Sequence, residues 1–433
     1  MIIQMSFGMK NISDDYIIGI SYGFHDSAVA LIQNGKVLNA VEEERFTGIK
    51  HDFSFPINSI NWILKQNNIS SKDISTVCYY ENPKLKHDRD WKSYWKYFWK
   101  NPFKFPKRLN HLDDLEQIFP LSKIIYNNHH LSHLSYSYFT SDFQESAILS
   151  VDGVGEWDTT VLASGKDNII KRHSEVVYPH SLGLLYSTIT AFLGFKPNEG
   201  EYKVMGLAPY ANEYESAKSY EIFKNIQKVV GLDVVLDQKP PDLYFHFREA
   251  LACHRFDGIA GALQQWTEEI LCEWTENCIN ITGLSNVVFS GGVAQNIKAC
   301  KTMAEIDSVS DFYVAPAAGD TSISIGACQY VMWKEHHASG GLEIAPLDEI
   351  YLGPSFGREE TEKTLREKGT QNSYDISEDA GPNQIAKLIA DGKAASGAPI
   401  EVKVIDNGPG VPPTLRDHLF QPFVTTKANG TGL

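Results

Sequence analysis

The sequence predicts an α/β protein built of two similar lobes with a cleft between them. Three observations carry this reading. A plan of strand, polar glycine-bearing turn, strand, hairpin, strand occurs twice, at residues 17-45 and 147-177. Two later units each run strand, glycine-rich loop, helix. A 42% hydrophobic content over 433 residues can close a large core and excludes a disordered chain.

In the first copy, the apolar run Ile17 to Ile20 is a strand and Gly23, His25 and Asp26 form a turn. Ala28 to Ile32 is a second strand, Asn34-Gly35 is a strong hairpin signal, and Val37 to Val41 is a third strand. In the second copy, Ile148 to Val151 runs into Asp152-Gly153, followed by Thr159 to Ala163, a Gly-Lys-Asp turn and a strand from Ile169. Helical spacing covers Ile57 to Gln66, Ser181 to Phe195 and Ile259 to Cys278. In the second of these, Leu182, Leu185, Ile189, Phe192 and Leu193 share a face, and Gly194 and Pro197 end the helix. Residues 286-290 are a buried strand running into Gly291-Gly292, with a helix from Ala294. Residues 312-315 are the last strand, Pro316 to Thr321 a loop, and Ser322 to Met332 a helix. Glycine-rich turns facing each other across a cleft suit phosphate, because their backbone N–H groups form anion-binding concavities.

Lys and Arg number 39 against 54 Asp and Glu, a net charge of −15, which argues against broad nucleic-acid binding. The six cysteines form no CxxC pair, so neither a disulfide framework nor a zinc site is expected. They fit a reducing compartment. The first residues lack the pattern of a signal peptide, and no apolar run approaches the roughly 18 residues needed to cross a bilayer. A cytoplasmic, soluble enzyme is the expectation.

The sharpest constellation is NNHHLSHLS. His129 and His133 are four apart, so on a helix both imidazoles share a face and can bind one metal, with His130 pointing elsewhere. Asp320 of AAGDTS can add a carboxylate, a set suited to Fe(II), Zn(II) or Mn(II). Spacing alone serves a pair of capping or core histidines slightly better. His25 and Asp26 in GFHDSA suit a general base or a substrate ligand, or else a turn in which Asp26 bonds its own backbone. The run Glu42, Glu43, Glu44, Arg45, Lys50, His51 reads as a solvated face, yet it ends a strand, where active sites collect. Lys203 can meet a phosphate or lie on the surface. Trp91, Trp95 and Trp99 form a stripe flanked by lysines, expected to pack on the domain rather than on a membrane or nucleic acid.

Taken together, GISYGFHDSAVALIQNGKVLNAVEEERFTGIKHDFSFP, NHHLSHLSYSYF, SVDGVGEWDTT, HSLGLLYS, FKPNEGEYKVMGLAPYA, FSGGVAQN and PAAGDTSISIGA resemble the O-carbamoyltransferases of nodulation-factor and antibiotic biosynthesis. The resemblance runs from residue 17 to about 393. It implies a duplicated actin/Hsp70-like (ASKHA) fold over residues 1-345, with lobes at about 17-145 and 146-345. It implies a metal of the iron type held by His129, His133 and Asp320, and carbamoyl-adenylate in the cleft. His25, with Asp26, would assist attack by the acceptor hydroxyl. Asp152, Gly153, Lys203, Gly291, Gly292 and Asn296 would form the nucleotide site. The partners implied are a small hydroxylated acceptor and, for the complete family, ATP with Mg2+ and carbamoyl phosphate. No nucleic acid or stable membrane insertion is expected, and a homodimer is left open.

The resemblance breaks near Lys393. Residues 346-393 read as the start of the domain that makes carbamoyl-adenylate, but the arginine-rich segment expected next is absent. Residues 394-433 instead resemble a piece of a sensor histidine kinase ATP-binding domain: Asp406, Gly408 and Gly410, then FQPFVTTK, then Gly430-Thr431-Gly432. The expectation is therefore a carbamoyltransferase impaired by a truncated activating domain. The rivals are a nucleotide- and metal-binding protein without turnover, and a kinase fragment.

Overall fold

The computed structural model describes residues 16–97, 113–237, 240, 242–337, 344–347 and 350–367. Met1–Gly353 forms one compact unit and Pro354–Leu433 a second. Of the second unit, the described part holds a helix, α13, at Arg358–Glu367. The kinase-like tail and most of the tryptophan stripe lie outside the described residues or side chains; Trp91 donates its indole N–H to His87 Nε2 at 2.9 Å.

The first sheet runs β3 (Lys36–Glu42), β2 (Ala28–Gln33), β1 (Tyr16–Ser21), β4 (Ile74–Tyr79), β5 (Lys123–Tyr126). β1, β2 and β3 are antiparallel neighbours, while β4 and β5 add in parallel. The second sheet repeats this plan as β8 (Ile169–Val177), β7 (Asp158–Lys166), β6 (Glu145–Gly155), β11 (Asn286–Ser290), β12 (Asp311–Val314). Its pairings alternate in the same way, antiparallel from β6 to β8 and parallel from β6 to β12. The shared order and strand directions establish the duplicated actin/Hsp70-like fold. At the first hairpin, Asn34 and Gly35 both take positive φ, 51° and 77°, as a two-residue hairpin turn requires.

Between these strands run α1 (Glu44–Thr47), α2 (Ile57–Gln66), α3 (Pro83–Tyr97), α4 (Asp113–Ile118) and α5 (His129–Thr140). The second half adds α6 (Leu182–Phe192), α7 (Glu201–Leu207), α8 (Glu213–Phe223), the small hairpin β9 (Gln227–Val230) and β10 (Asp233–Leu236), and α9 (Leu243–Ala250). α10 (Phe256–Thr282), α11 (Ile297–Ala304) and α12 (Ile323–His337) complete it. The segment after Gly291 differs from expectation. A 3-10 turn occupies Gly292–Gln295 and the α-helix begins only at Ile297, because Asn296 caps it, accepting from the Ala299 N–H at 3.1 Å.

Strand alternation decides what covers the second sheet. Ala147, Leu149 and Val151 join the core made with α6 and α10, whereas Ile148 of the same strand joins Leu134, Tyr138 and Phe139 of α5. The helices then cross over. α5 leaves the first sheet yet packs on β6 and β11 of the second, and α12 leaves the second sheet yet packs on β1, β2 and β4 of the first. The two helices pack against each other, each lying on the sheet it does not follow.

Glu43, one of the charged run after β3, is 1% exposed and has a structural role. Its carboxylate accepts from the backbone N–H and side chain of Asn58 and from the N–H and hydroxyl of Ser59, all at 2.7–3.1 Å. These atoms open α2, whose N-cap Pro56 offers no side-chain cap. Glu43→Ala leaves the buried N–H and hydroxyl of Ser59 unpaired, so the expected cost is about 1–3 kcal/mol, read as a lower urea midpoint at unchanged m-value.

Candidate active site at the lobe junction

The N-terminus of α5 supplies two of the functional side chains. Asn128 caps it, accepting from the Leu131 N–H at 3.1 Å, which leaves His129 in the first turn and His133 one turn on. The Glu156 carboxylate, 1% exposed, clamps the same end by accepting from the backbone N–H groups of His129 and Asn82. Burial outweighs these contacts and pushes the Glu156 carboxyl up to about 7. His130 points away, as its spacing predicts, to Ser150 Oγ at 2.9 Å and the Asp158 carbonyl at 3.1 Å.

Asp152 on β6 and Asp320 in the loop before α12 close on the two histidines. The Nε2 atoms of His129 and His133 lie 3.1 Å apart. Asp152 Oδ2 is 2.8 Å from the first and 3.6 Å from the second, and Asp320 Oδ1 is 3.6 and 3.2 Å from them. All four donor atoms fall within 4.8 Å of one another. Two imidazole nitrogens converging between two carboxylates fit a divalent cation of borderline softness. The metal-free electrostatics agree. Burial opposes charge on His129, yet Asp320 and Asp152 raise it to about 10. Burial likewise opposes charge on Asp152, yet its contacts with the two histidines hold it well below the usual carboxylate range. Protons thus supply positive charge where the donor set calls for it.

Neighbouring glycines make this approach possible. A Cβ on Gly155 would lie 2.3 Å from the His129 ring. Gly291, at φ 91°, sits where a Cβ would lie 2.3 Å from the Val151 carbonyl, and Gly292 donates its N–H to Asp152 Oδ1 at 3.1 Å. Asp152 is therefore held by one oxygen and faces the histidines with the other.

The cluster opens into a cavity of about 420 Å³ lined by both lobes. His25 and Asp26 line it, with His25 Nε2 3.5 Å from Asp320 Oδ2. Burial pulls His25 down, but the charge of Asp320 and the bond to Asp26 raise it to about 9. Lys50, Lys86 and Arg89 bring positive charge to the same walls. Lys86 pairs with Glu81 and lies 5.3 Å from the Phe24 ring centroid.

The nucleotide set expected from the sequence is only partly gathered here. Asp152, Gly153, Gly292 and Asn296 line the cavity. Asp152 does so as a member of the metal-type cluster, and Asn296 has its amide engaged with Gln264 at 3.0 Å in both directions and in capping α11. Gly291 is not among the lining residues. Lys203 is outside it, its ammonium 5.9 and 5.8 Å from the ring centroids of Phe195 and Tyr202. Asp152 as a fourth donor, Glu156 as a clamp and His51 as a cavity residue were not expected. Helix-face spacing reaches only four residues, and these three meet the site through tertiary contacts.

A duplicated α/β domain with a His–Asp cluster at its lobe junction is the class the geometry defines. Residues 16–105 and 92–329 match the family model for the carbamoyltransferase N-terminus, and the chain belongs to that family. An uncharacterised protein of Synechocystis sp. is 35% identical over 414 residues, covering 87% of this chain and 67% of that protein. The nodulation protein NolNO of Sinorhizobium fredii is 29% identical over 398 residues, covering 90% of this chain but 58% of its own length. The solved structure of T. kodakarensis HypF matches at 12% identity with a TM-score of 0.44, over 75% of this chain and 48% of that one. The kinase likeness also has a counterpart. A 35-residue stretch, 8% of the chain, is 69% identical to 9% of the sensory histidine kinase/phosphatase NtrB of Rhizobium meliloti. Among the described residues, no helix is long and apolar enough to cross a membrane.

Proposed function

We propose that this chain transfers a carbamoyl group from carbamoyl-adenylate to a hydroxyl of a small acceptor. The observation that carries the reading is the convergence of His129, His133, Asp152 and Asp320 at the floor of a cavity that also holds His25. The acceptor oxygen bonds to the carbamoyl carbon, the carbon–oxygen bond to the phosphate breaks, and AMP leaves with that oxygen. His25 Nε2 takes the hydroxyl proton. Lys50 would attract the adenylate phosphate by charge, whereas Lys86 and Arg89 are already paired with Glu81 and Asp90.

The four donors would hold a divalent transition metal, Fe(II) by the family resemblance, which when bound supplies positive charge for the leaving phosphate. The same charge would offset Asp320, which together with the bond to Asp26 raises His25. ATP, Mg2+ and carbamoyl phosphate belong to the step that makes carbamoyl-adenylate.

The test supplies freshly made 13C-carbamoyl-adenylate to the purified protein with sugars and aminoglycosides as acceptors. The expected result is AMP release with an acceptor carrying the labelled carbamoyl group. Saturable binding of the adenylate without AMP release above the buffer rate contradicts it and leaves a nucleotide-binding protein.

A further inference from the structure

Asp26 is held from both sides. Its Oδ2 lies 2.7 Å from His25 Nδ1 and its Oδ1 2.6 Å from His51 Nδ1. A carboxylate only accepts, so both ring nitrogens must carry the hydrogen. The arrangement is built into two loops rather than left to side-chain chance. The Gly23 N–H donates to the Phe53 carbonyl and the Ser27 N–H to the Asp52 carbonyl, at 3.0 and 2.7 Å, which ties the loops together. The His51 N–H donates to Glu44 at 2.8 Å. Asp26 and His51 both adopt left-handed backbone, φ 52° and 55°, a region uncommon outside glycine that Asp and His enter more readily than most residues. All three side chains line the cavity.

We infer that His51 is a positioning residue for His25, acting through Asp26. By holding Oδ1, His51 fixes the carboxylate so that Oδ2 meets His25 Nδ1. That bond sets the His25 ring orientation and, for the neutral ring, places the lone pair on Nε2, the atom nearest Asp320. The role of His25 rests on the carbamoyl-transfer reading; the clamp itself does not.

Two variants isolate the hydrogen bond from the backbone. His51→Gly and His51→Asn both tolerate positive φ, but only Asn keeps a donor close to the place of Nδ1. Two measurements are made on each. Nitrogen-15 spectra, taken above about pH 10 where a ring raised to about 9 is neutral, report the His25 tautomer, assigned with a His25→Gln variant. AMP release from carbamoyl-adenylate, with the same sugars and aminoglycosides as acceptors, gives kcat and KM. The expected result is an Nδ1–H ring in wild type and His51→Asn, and loss of that signature in His51→Gly. Turnover in His51→Gly should fall about 10–100-fold in kcat at nearly constant KM, with most of the loss recovered in His51→Asn. An unchanged His25 signature in His51→Gly overturns the inference, as does a rise in KM alone, which would make His51 a substrate ligand. If wild type releases no AMP, the carbamoyl-transfer reading fails and the ring spectra decide the clamp by themselves.

Discussion

Replacing His133 by alanine is expected to abolish tight binding of a divalent transition metal at the proposed site. His133 is fully buried, with Nε2 3.2 Å from Asp320 and 3.1 Å from His129 Nε2. Losing one of four donors should weaken metal binding by at least about 100-fold, since even outer partners cost 10–100-fold. Asp152→Asn should lose a comparable amount, and that variant separates two accounts. If Asp152 serves only a nucleotide, as the family resemblance implies, metal affinity will not change. If it is the fourth donor, affinity falls while the fold persists. Competition titration against a chromophoric chelator measures both.

The second large effect is on stability. Gly326 of α12 faces α5 so closely that a Cβ there would lie 1.9 Å from the Ser132 carbonyl oxygen and 2.9 Å from Tyr136 Cβ. On the β1 side, a Cβ on Gly19 would lie 1.9 Å from the Ser324 carbonyl. α12 is thus held between a strand and a helix with no slack on either side. Gly326→Ala must force α5 and α12 apart, at an expected cost of about 3 kcal/mol or more. These two helices carry His129 and His133 and follow Asp320, so metal affinity should fall with stability. A urea melt and the same chelator titration should both register Gly326→Ala, whereas Gly206→Ala, in α7 with nothing within 4 Å of the added Cβ, should leave metal affinity unchanged and raise stability by about 0.5–1 kcal/mol.

Local patterning made much of this legible. Both β-meanders follow from apolar runs and turn residues, and α2 matches its expected span, Ile57–Gln66, at both ends. The i, i+4 histidines face one cluster because α5 is a regular helix capped at Asn128. What was hidden depends on distant chain segments. Glu43 and Glu156 act as helix clamps from 15 and 27 residues away, outside the reach of any capping box. His51 meets Asp26 across 25 residues, inside a run that reads as solvated charge. Lys203 follows a glycine-punctuated loop, but α7 turns it toward aromatic rings rather than into the cavity. The crossing of α5 and α12 between lobes has no sequence signature at all, since each helix is apolar enough to serve either sheet.

The central claim is that the His–Asp cluster drives carbamoyl transfer. It is tested most directly by AMP release from carbamoyl-adenylate in metal-stripped protein, before and after Fe(II) is added under anaerobic conditions. The account predicts little release from the stripped protein, recovery with Fe(II), and no recovery in His133→Ala. Full turnover by the stripped protein, or equal recovery in His133→Ala, would contradict it.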